Sequence, residues 1–143
     1  TLDPTTRKVR LPSATEVLVT DTVGFIQKQP PTVTAAFKAT LEEIVDADIL
    51  IHVVDITHKN AQIHADVVEE TLKTLNLERT PQLLVLNKID RLEKSLLEAE
   101  DGIIEKIQKQ NNTAILTSAT ESIGINDLLE RLDGMVKYIH EMT

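Results

Sequence analysis

Four short apolar runs punctuate the chain, and each ends on a polar residue. Glu16-Val17-Leu18-Val19-Thr20 runs into Asp21, Ile49-Leu50-Ile51-His52-Val53-Val54 into Asp55, Gln82-Leu83-Leu84-Val85-Leu86 into Asn87, and Thr113-Ala114-Ile115-Leu116-Thr117 into Ser118. The runs are of strand length and continuous rather than alternating, the pattern of strands covered by helices on both faces. Between them apolar residues return at helical spacing. Phe37, Leu41, Ile44 and Val45 share one face of the segment from Thr34 to Val45, and Ile63, Val67, Val68, Leu72 and Leu75 share one from Ala61 to Leu75. Leu96, Leu97, Ile103, Ile104 and Ile107 predict a further helix, and Leu128, Leu129, Leu132, Met135, Val136 and Ile139 a last one. Strand and helix thus alternate to the end, which predicts an α/β domain with a mostly parallel sheet flanked by helices. The opening stretch differs: Lys8-Val9-Arg10-Leu11 alternates, and Pro12-Ser13-Ala14-Thr15 supplies turn residues. It reads as an N-terminal edge hairpin, the one antiparallel pair. No repeat or linker divides the chain, so residues 1–143 read as a single domain.

Charge and composition narrow the function classes. The net charge of −8 argues against a general clamp on nucleic acid or a sequence-specific DNA reader, because such a chain repels the phosphate backbone. With no cysteine, a disulfide framework, a thiolate zinc site and a cysteine nucleophile are all excluded. The longest apolar runs fall far short of the roughly 20 residues of a membrane span. No apolar stretch follows the polar residues Thr1 to Arg10, so no signal peptide is expected there.

Chemistry is expected where the strands end, since ligands of an open parallel sheet bind outside the carboxyl ends of its strands. Asp, Asn and Ser also end strands merely by making turns. The residues just beyond the strand ends are more telling. Asp21-Thr22-Val23-Gly24 fits D-x-x-G, which can set a carboxylate near a magnesium-bound water and let a glycine N–H approach a terminal phosphate. Asn87-Lys88-Ile89-Asp90 carries more information. Guanine offers two adjacent donors, N1–H and the exocyclic amine, whereas adenine has a bare acceptor at N1. An ionised, acceptor-only carboxylate at Asp90 can therefore pair with guanine and would reject adenine. Asn87 would brace the loop, and Lys88 would lay its methylenes along the base. Thr117-Ser118-Ala119-Thr120 is a strand-end turn whose backbone can reach the base oxygen. Asp55 reads as a turn-forming strand end, with an approach to the nucleotide crevice as the alternative.

In this order, D-x-x-G, N-K-x-D and S-A resemble the GTP-binding domain of the translation-factor-like GTPases. Thr1-Leu2-Asp3-Pro4-Thr5-Thr6-Arg7, Asp21-Thr22-Val23-Gly24-Phe25-Ile26 and Ala35-Ala36-Phe37-Lys38-Ala39-Thr40-Leu41-Glu42-Glu43 narrow the resemblance to the HflX family of ribosome-associated GTPases. The resemblance, which runs from Thr1 to about Leu132, implies GTP and GDP as ligands, Mg2+ as cofactor, GTP hydrolysis as activity and the large ribosomal subunit as partner. It implies that Thr1 meets magnesium and the terminal phosphate and that Asp21 holds magnesium through water. Gly24 would contact the phosphate, Asn87, Lys88 and Asp90 would read guanine, and Ser118 and Ala119 would support them. A cytoplasmic location goes with the family, or a plastid or mitochondrion where the source is a plant or another eukaryote.

Two departures from the GTPase pattern matter. Phe25 stands where small signalling GTPases carry a water-orienting Gln, and a phenyl ring cannot position water by hydrogen bonding, so hydrolysis should be slow without help. The sequence also contains no G-x-x-x-x-G-K-S/T; its four glycines are Gly24, Gly102, Gly124 and Gly134. That loop supplies the phosphate cradle. In the family it follows a first strand upstream of the position of Thr1, so the resemblance implies a partial GTP-binding domain lacking its first strand, phosphate loop and first helix. That strand belongs between those ending at Asp21 and Asp55, which would either close up or stay apart. A non-catalytic interaction module derived from a GTPase is the alternative function. A phosphoacceptor receiver domain fits less well, because paired acidic residues are missing at the first strand end.

Overall fold

The computed structural model describes residues 5–22, 35–91, 109 and 113–142, with side chains of the first helix described from Leu41 onward. β1 (Thr5–Arg10) and β2 (Glu16–Asp21) form the expected antiparallel hairpin, with Arg10 opposite Glu16 and Thr5 opposite Asp21. Leu11 and Thr15 close its turn through Leu11 N–H to Thr15 O at 2.8 Å, and Ala14 takes a left-handed φ of 70°. After α1 (Ala35–Asp46), β3 (Leu50–Asp55), α2 (Ala61–Thr74) and β4 (Gln82–Asn87) form a parallel crossover unit. A single 3-10 turn (Ile89–Arg91) follows β4, then come β5 (Ile115–Leu116) and α3 (Ile125–Met142). β3, β4 and β5 form a parallel sheet in that order. The helix expected around 96–107 lies outside the described residues, as does the side chain of Phe37.

β4 is the axis of the fold because its side chains serve both faces. Leu83 and Val85 pack with Ile115 against Leu128 and Met135 of α3, while Leu86 joins Val54, Ile56 and Ala61 on the other side. Leu86 is fully buried and Leu83 is 1% exposed, so truncating either to alanine should cost about 2–5 kcal/mol. α2 stops cleanly. Asn76 takes φ 60°, its N–H bonds to Lys73 O, and Leu77 N–H reaches back to Leu72 O at 2.9 Å. This is the left-handed helix stop that accompanies an apolar contact, and Leu72 and Leu77 share a core cluster with Ile44 and Val68.

The hairpin forms its own two-stranded sheet. Among the described residues β2 bonds to β1 alone and not to β3, so these two strands stay apart rather than closing up. The hairpin is held by its turn instead. Leu11 packs with Leu132 and Val136 of α3 and with Val17, Ile49 and Ile51. Asp133, 6% exposed, accepts Ser13 N–H at 2.8 Å and Ser13 Oγ–H at 2.6 Å. The Ser13 bonds draw the Asp133 carboxyl below its usual range, against a smaller opposing push from burial. Coverage is less complete than the continuous apolar runs imply, for Leu18 on β2 is 71% exposed and Val53 on β3 is 53% exposed. The last strand is also shorter than Thr113 to Thr117, because among the described residues only Ile115 and Leu116 pair, with Val85 and Leu86.

Candidate guanine-nucleotide site

The register of the parallel sheet aligns the carboxyl ends of its strands. Asp55 stands opposite Asn87, and Leu86 opposite Leu116, so the residues after β3, β4 and β5 meet at one edge. Main-chain bonds extend the alignment into the loops: Ile56 N–H to Asn87 O at 3.1 Å, Thr117 N–H to Leu86 O at 2.8 Å, and Ile89 N–H to Thr117 O at 3.2 Å. The loop after β5 is folded back on itself. Ser118 and Ile123 exchange both backbone bonds at 3.0 Å, and Gly124 follows with φ +75°. Glycine is required there, since a Cβ would be driven into the carbonyl oxygen of Leu116.

On this frame the side chains are tied across strands. Asn87 Oδ1 accepts Thr117 Oγ–H at 3.0 Å and Ala119 N–H at 3.1 Å, which locks the loop after β4 to the loop after β5. Ser118, fully buried, donates its hydroxyl to Asp90 Oδ1 at 2.7 Å and accepts Glu121 N–H at 3.2 Å. A carboxylate has about four acceptor positions. Asp90 therefore keeps acceptor capacity for two donors after bonding Ser118, and it is exposed at the edge. Asn87, Lys88, Asp90, Ser118 and Ala119 are thus brought together at one edge of the sheet.

Asp55 is the residue whose part the motifs did not single out. Its Oδ2 pairs with Lys88 Nζ at 2.9 Å, and its Oδ1 accepts Thr57 N–H at 3.0 Å and Thr57 Oγ–H at 2.6 Å. Partial burial pushes its carboxyl up, but the bonds from Thr57 and Lys88, with the Lys88 charge, outweigh that and hold it at about 2. Lys88 takes a left-handed φ of 70°, a conformation that costs a side-chain-bearing residue about 1–3 kcal/mol. The one legible signal for this pair was positional, as both residues belong to the ends of parallel strands that pair in register.

The other half of the expected site is different. Asp21 ends β2 with an exposed side chain that has no bonded partner among the described residues. Thr1, Gly24 and Phe25 lie outside the described residues. No group of three or more His, Cys, Asp or Glu residues suited to a metal ion occurs among the described residues, nor any helix long and apolar enough to cross a membrane.

Comparison with known proteins bears on the same residues. Residues 1–88 match the model of the 50S ribosome-binding GTPase family. The chain belongs to that family. Its GTP-binding domain is of the HflX type: the chain is 44% identical over 133 residues to GTPase HflX of Caldanaerobacter subterraneus, covering 93% of this chain and 28% of that protein. It is 40% identical over 137 residues to GTPase HflX of Chlamydia pneumoniae, with 96% and 28% covered, and 36% identical over 140 residues to GTPase HflX of Escherichia coli, with 95% and 32% covered. The chain therefore spans about a third or less of the length of these relatives. Among solved structures, a crystal structure of a mutation variant of SsGBP superposes with a TM-score of 0.70 at 26% identity, covering 92% of this chain and 46% of that one.

Proposed function

We propose that residues 1–143 form a single, partial guanine-nucleotide-binding domain of an HflX-type GTPase that hydrolyses GTP in association with the large ribosomal subunit. The observation that carries the reading is the cross-strand clasp. Asn87 bonded to Thr117 and Ala119, and Ser118 bonded to Asp90, hold an acceptor-only carboxylate at the carboxyl edge of a parallel sheet. That is the chemistry which accepts the paired donors of guanine and repels adenine. The ribosomal partner comes from the family's description, and the domain would work wherever those ribosomes are, in the cytoplasm or, in a plant or other eukaryote, in a plastid or mitochondrion.

The candidate site residues divide the work of that reaction. Asp90 selects the base, Ser118 and Asn87 hold Asp90 and its loop in place, and the stem of Lys88 supports the base plane. Asp21 suits a magnesium ion bound through water, because its carboxylate is exposed and uncommitted among the described residues. Magnesium typically takes one or two carboxylates together with substrate phosphates and keeps several waters, so a dense protein ligand cluster is not required. Thr1 would share that ion, and Gly24 would meet the terminal phosphate. When bound, the ion supplies charge neutralisation at the phosphates. With Phe25 in place of a water-orienting Gln, the reaction needs a contribution from the ribosomal partner.

The test is made on the full-length gene product. GTP should displace fluorescent GDP while ATP does not, and purified large subunits should raise the rate of GTP hydrolysis. Equal displacement by ATP would refute the base assignment. Guanine binding without hydrolysis, even on large subunits, would instead support a non-catalytic interaction module.

A further inference from the structure

We propose that Asp55 is a positioning residue for the guanine nucleotide, acting through Lys88. The proposal rests on the guanine-site reading and goes beyond it, since no sequence motif includes Asp55. Lys88 leaves the end of β4 in a left-handed backbone conformation, and its ammonium reaches the end of β3, 2.9 Å from Asp55 Oδ2. Asp90 and its Ser118 partner lie toward the β5 side of the same edge. The methylene stem of Lys88 is thereby tethered at both ends along the sheet edge, beside the carboxylate that reads the base.

The tether is itself oriented. Thr57 donates both its N–H and its hydroxyl to Asp55 Oδ1, which leaves Oδ2 directed at Lys88. The depressed pKa of Asp55 agrees with a carboxylate that stays charged throughout the physiological range. A long lysine side chain that is otherwise free in solvent loses rotamer freedom when a ligand packs on it. Here that loss is incurred on folding, and the base meets a stem already laid down, which is the general benefit of preorganisation. The pair is partly exposed, with side-chain accessibilities of 44% for Lys88 and 38% for Asp55. A ligand lying on the stem would shield it from water and salt.

The deciding experiment is a double-mutant cycle on GDP affinity in the full-length protein, with thermal unfolding recorded in parallel. Asp55→Asn keeps the acceptor for Thr57 but removes the charge from Lys88. Lys88→Met keeps an apolar stem but removes the ammonium. Asp55→Asn should weaken GDP binding about 2- to 10-fold when Lys88 is present, and should add nothing further in the Lys88→Met background. A purely structural role would instead weaken binding equally in both backgrounds, in step with whatever fall in unfolding temperature Asp55→Asn produces, which overturns the proposal. Unchanged GDP affinity in Asp55→Asn also overturns it, while leaving the guanine-site reading intact. A wild-type protein that binds no guanine nucleotide refutes that reading, and this proposal with it.

Discussion

At the carboxyl ends of β4 and β5, side chains bond to one another across strands, whereas at the carboxyl end of β2 Asp21 is exposed and, among the described residues, the strand bonds only to β1. In the proposed function the two ends face different physical problems. A group that must tell guanine from adenine has to be rigid before the base arrives, because selectivity comes from donors and acceptors that cannot adapt. Buried Ser118 and Thr117 supply that rigidity to Asp90 and Asn87. A carboxylate that meets a hydrated cation must stay uncommitted, since a strong internal bond would compete with the water it has to hold. Asp21 meets that condition among the described residues.

The contrast can be broken most severely at Gly124. Gly124→Ala forces a side chain into a left-handed conformation and against the Leu116 carbonyl, which should cost about 2 kcal/mol or more in chemical denaturation and weaken GDP binding with it. Unchanged stability would mean the loop after β5 is softer than its backbone bonds imply. Ser118→Ala comes next. It strips a fully buried hydroxyl from Asp90 and from Glu121 N–H, for a predicted loss of about 1–3 kcal/mol of stability and a drop in GDP affinity. Stability lost without any change in GDP affinity would detach Ser118 from base recognition.

Acid sharpens the comparison at the β3 end. Asp55 titrates near 2 in the folded protein against an ordinary 3.8, so the unfolded chain binds the proton first. The stabilisation is complete above about pH 4 and is lost as pH falls toward 2, and it is modest because the pair is partly exposed. Acid unfolding of Asp55→Asn should lack this contribution, and an identical acid limb in the two proteins would argue against the pair. The smallest stability effect belongs to Asp21→Asn, expected within about 0.5 kcal/mol of wild type because its side chain touches no described partner. Its effect should appear as a loss of magnesium dependence in nucleotide binding; unaltered magnesium dependence would remove Asp21 from the metal side.

The strand grammar carried the parallel, helix-flanked character of β3, β4 and β5, because β4 is buried on both faces, while their order comes from the structure. It carried less at the hairpin. A continuous apolar run reads the same whether or not a neighbour covers it, so the exposure of Leu18 and Val53 was not legible. The residues proposed to read the base could be named from the sequence because N-K-x-D concentrates its chemistry in four positions. The Asp55 pair joins residues 33 apart through the strand register, and the Ser13–Asp133 clasp joins residues 120 apart through the docking of a turn on α3. Neither leaves a local spacing to read.

Competition of GDP against ADP, measured on the full-length protein and on its Asp90→Asn variant, tests the base assignment most directly. The amide of the variant would set a donor against a donor of guanine. The wild type should prefer GDP over ADP by about 100-fold or more, and Asp90→Asn should lose most of that preference. Equal binding of the two nucleotides by the wild type, or a guanine preference that survives in the variant, would contradict the assignment of Asp90.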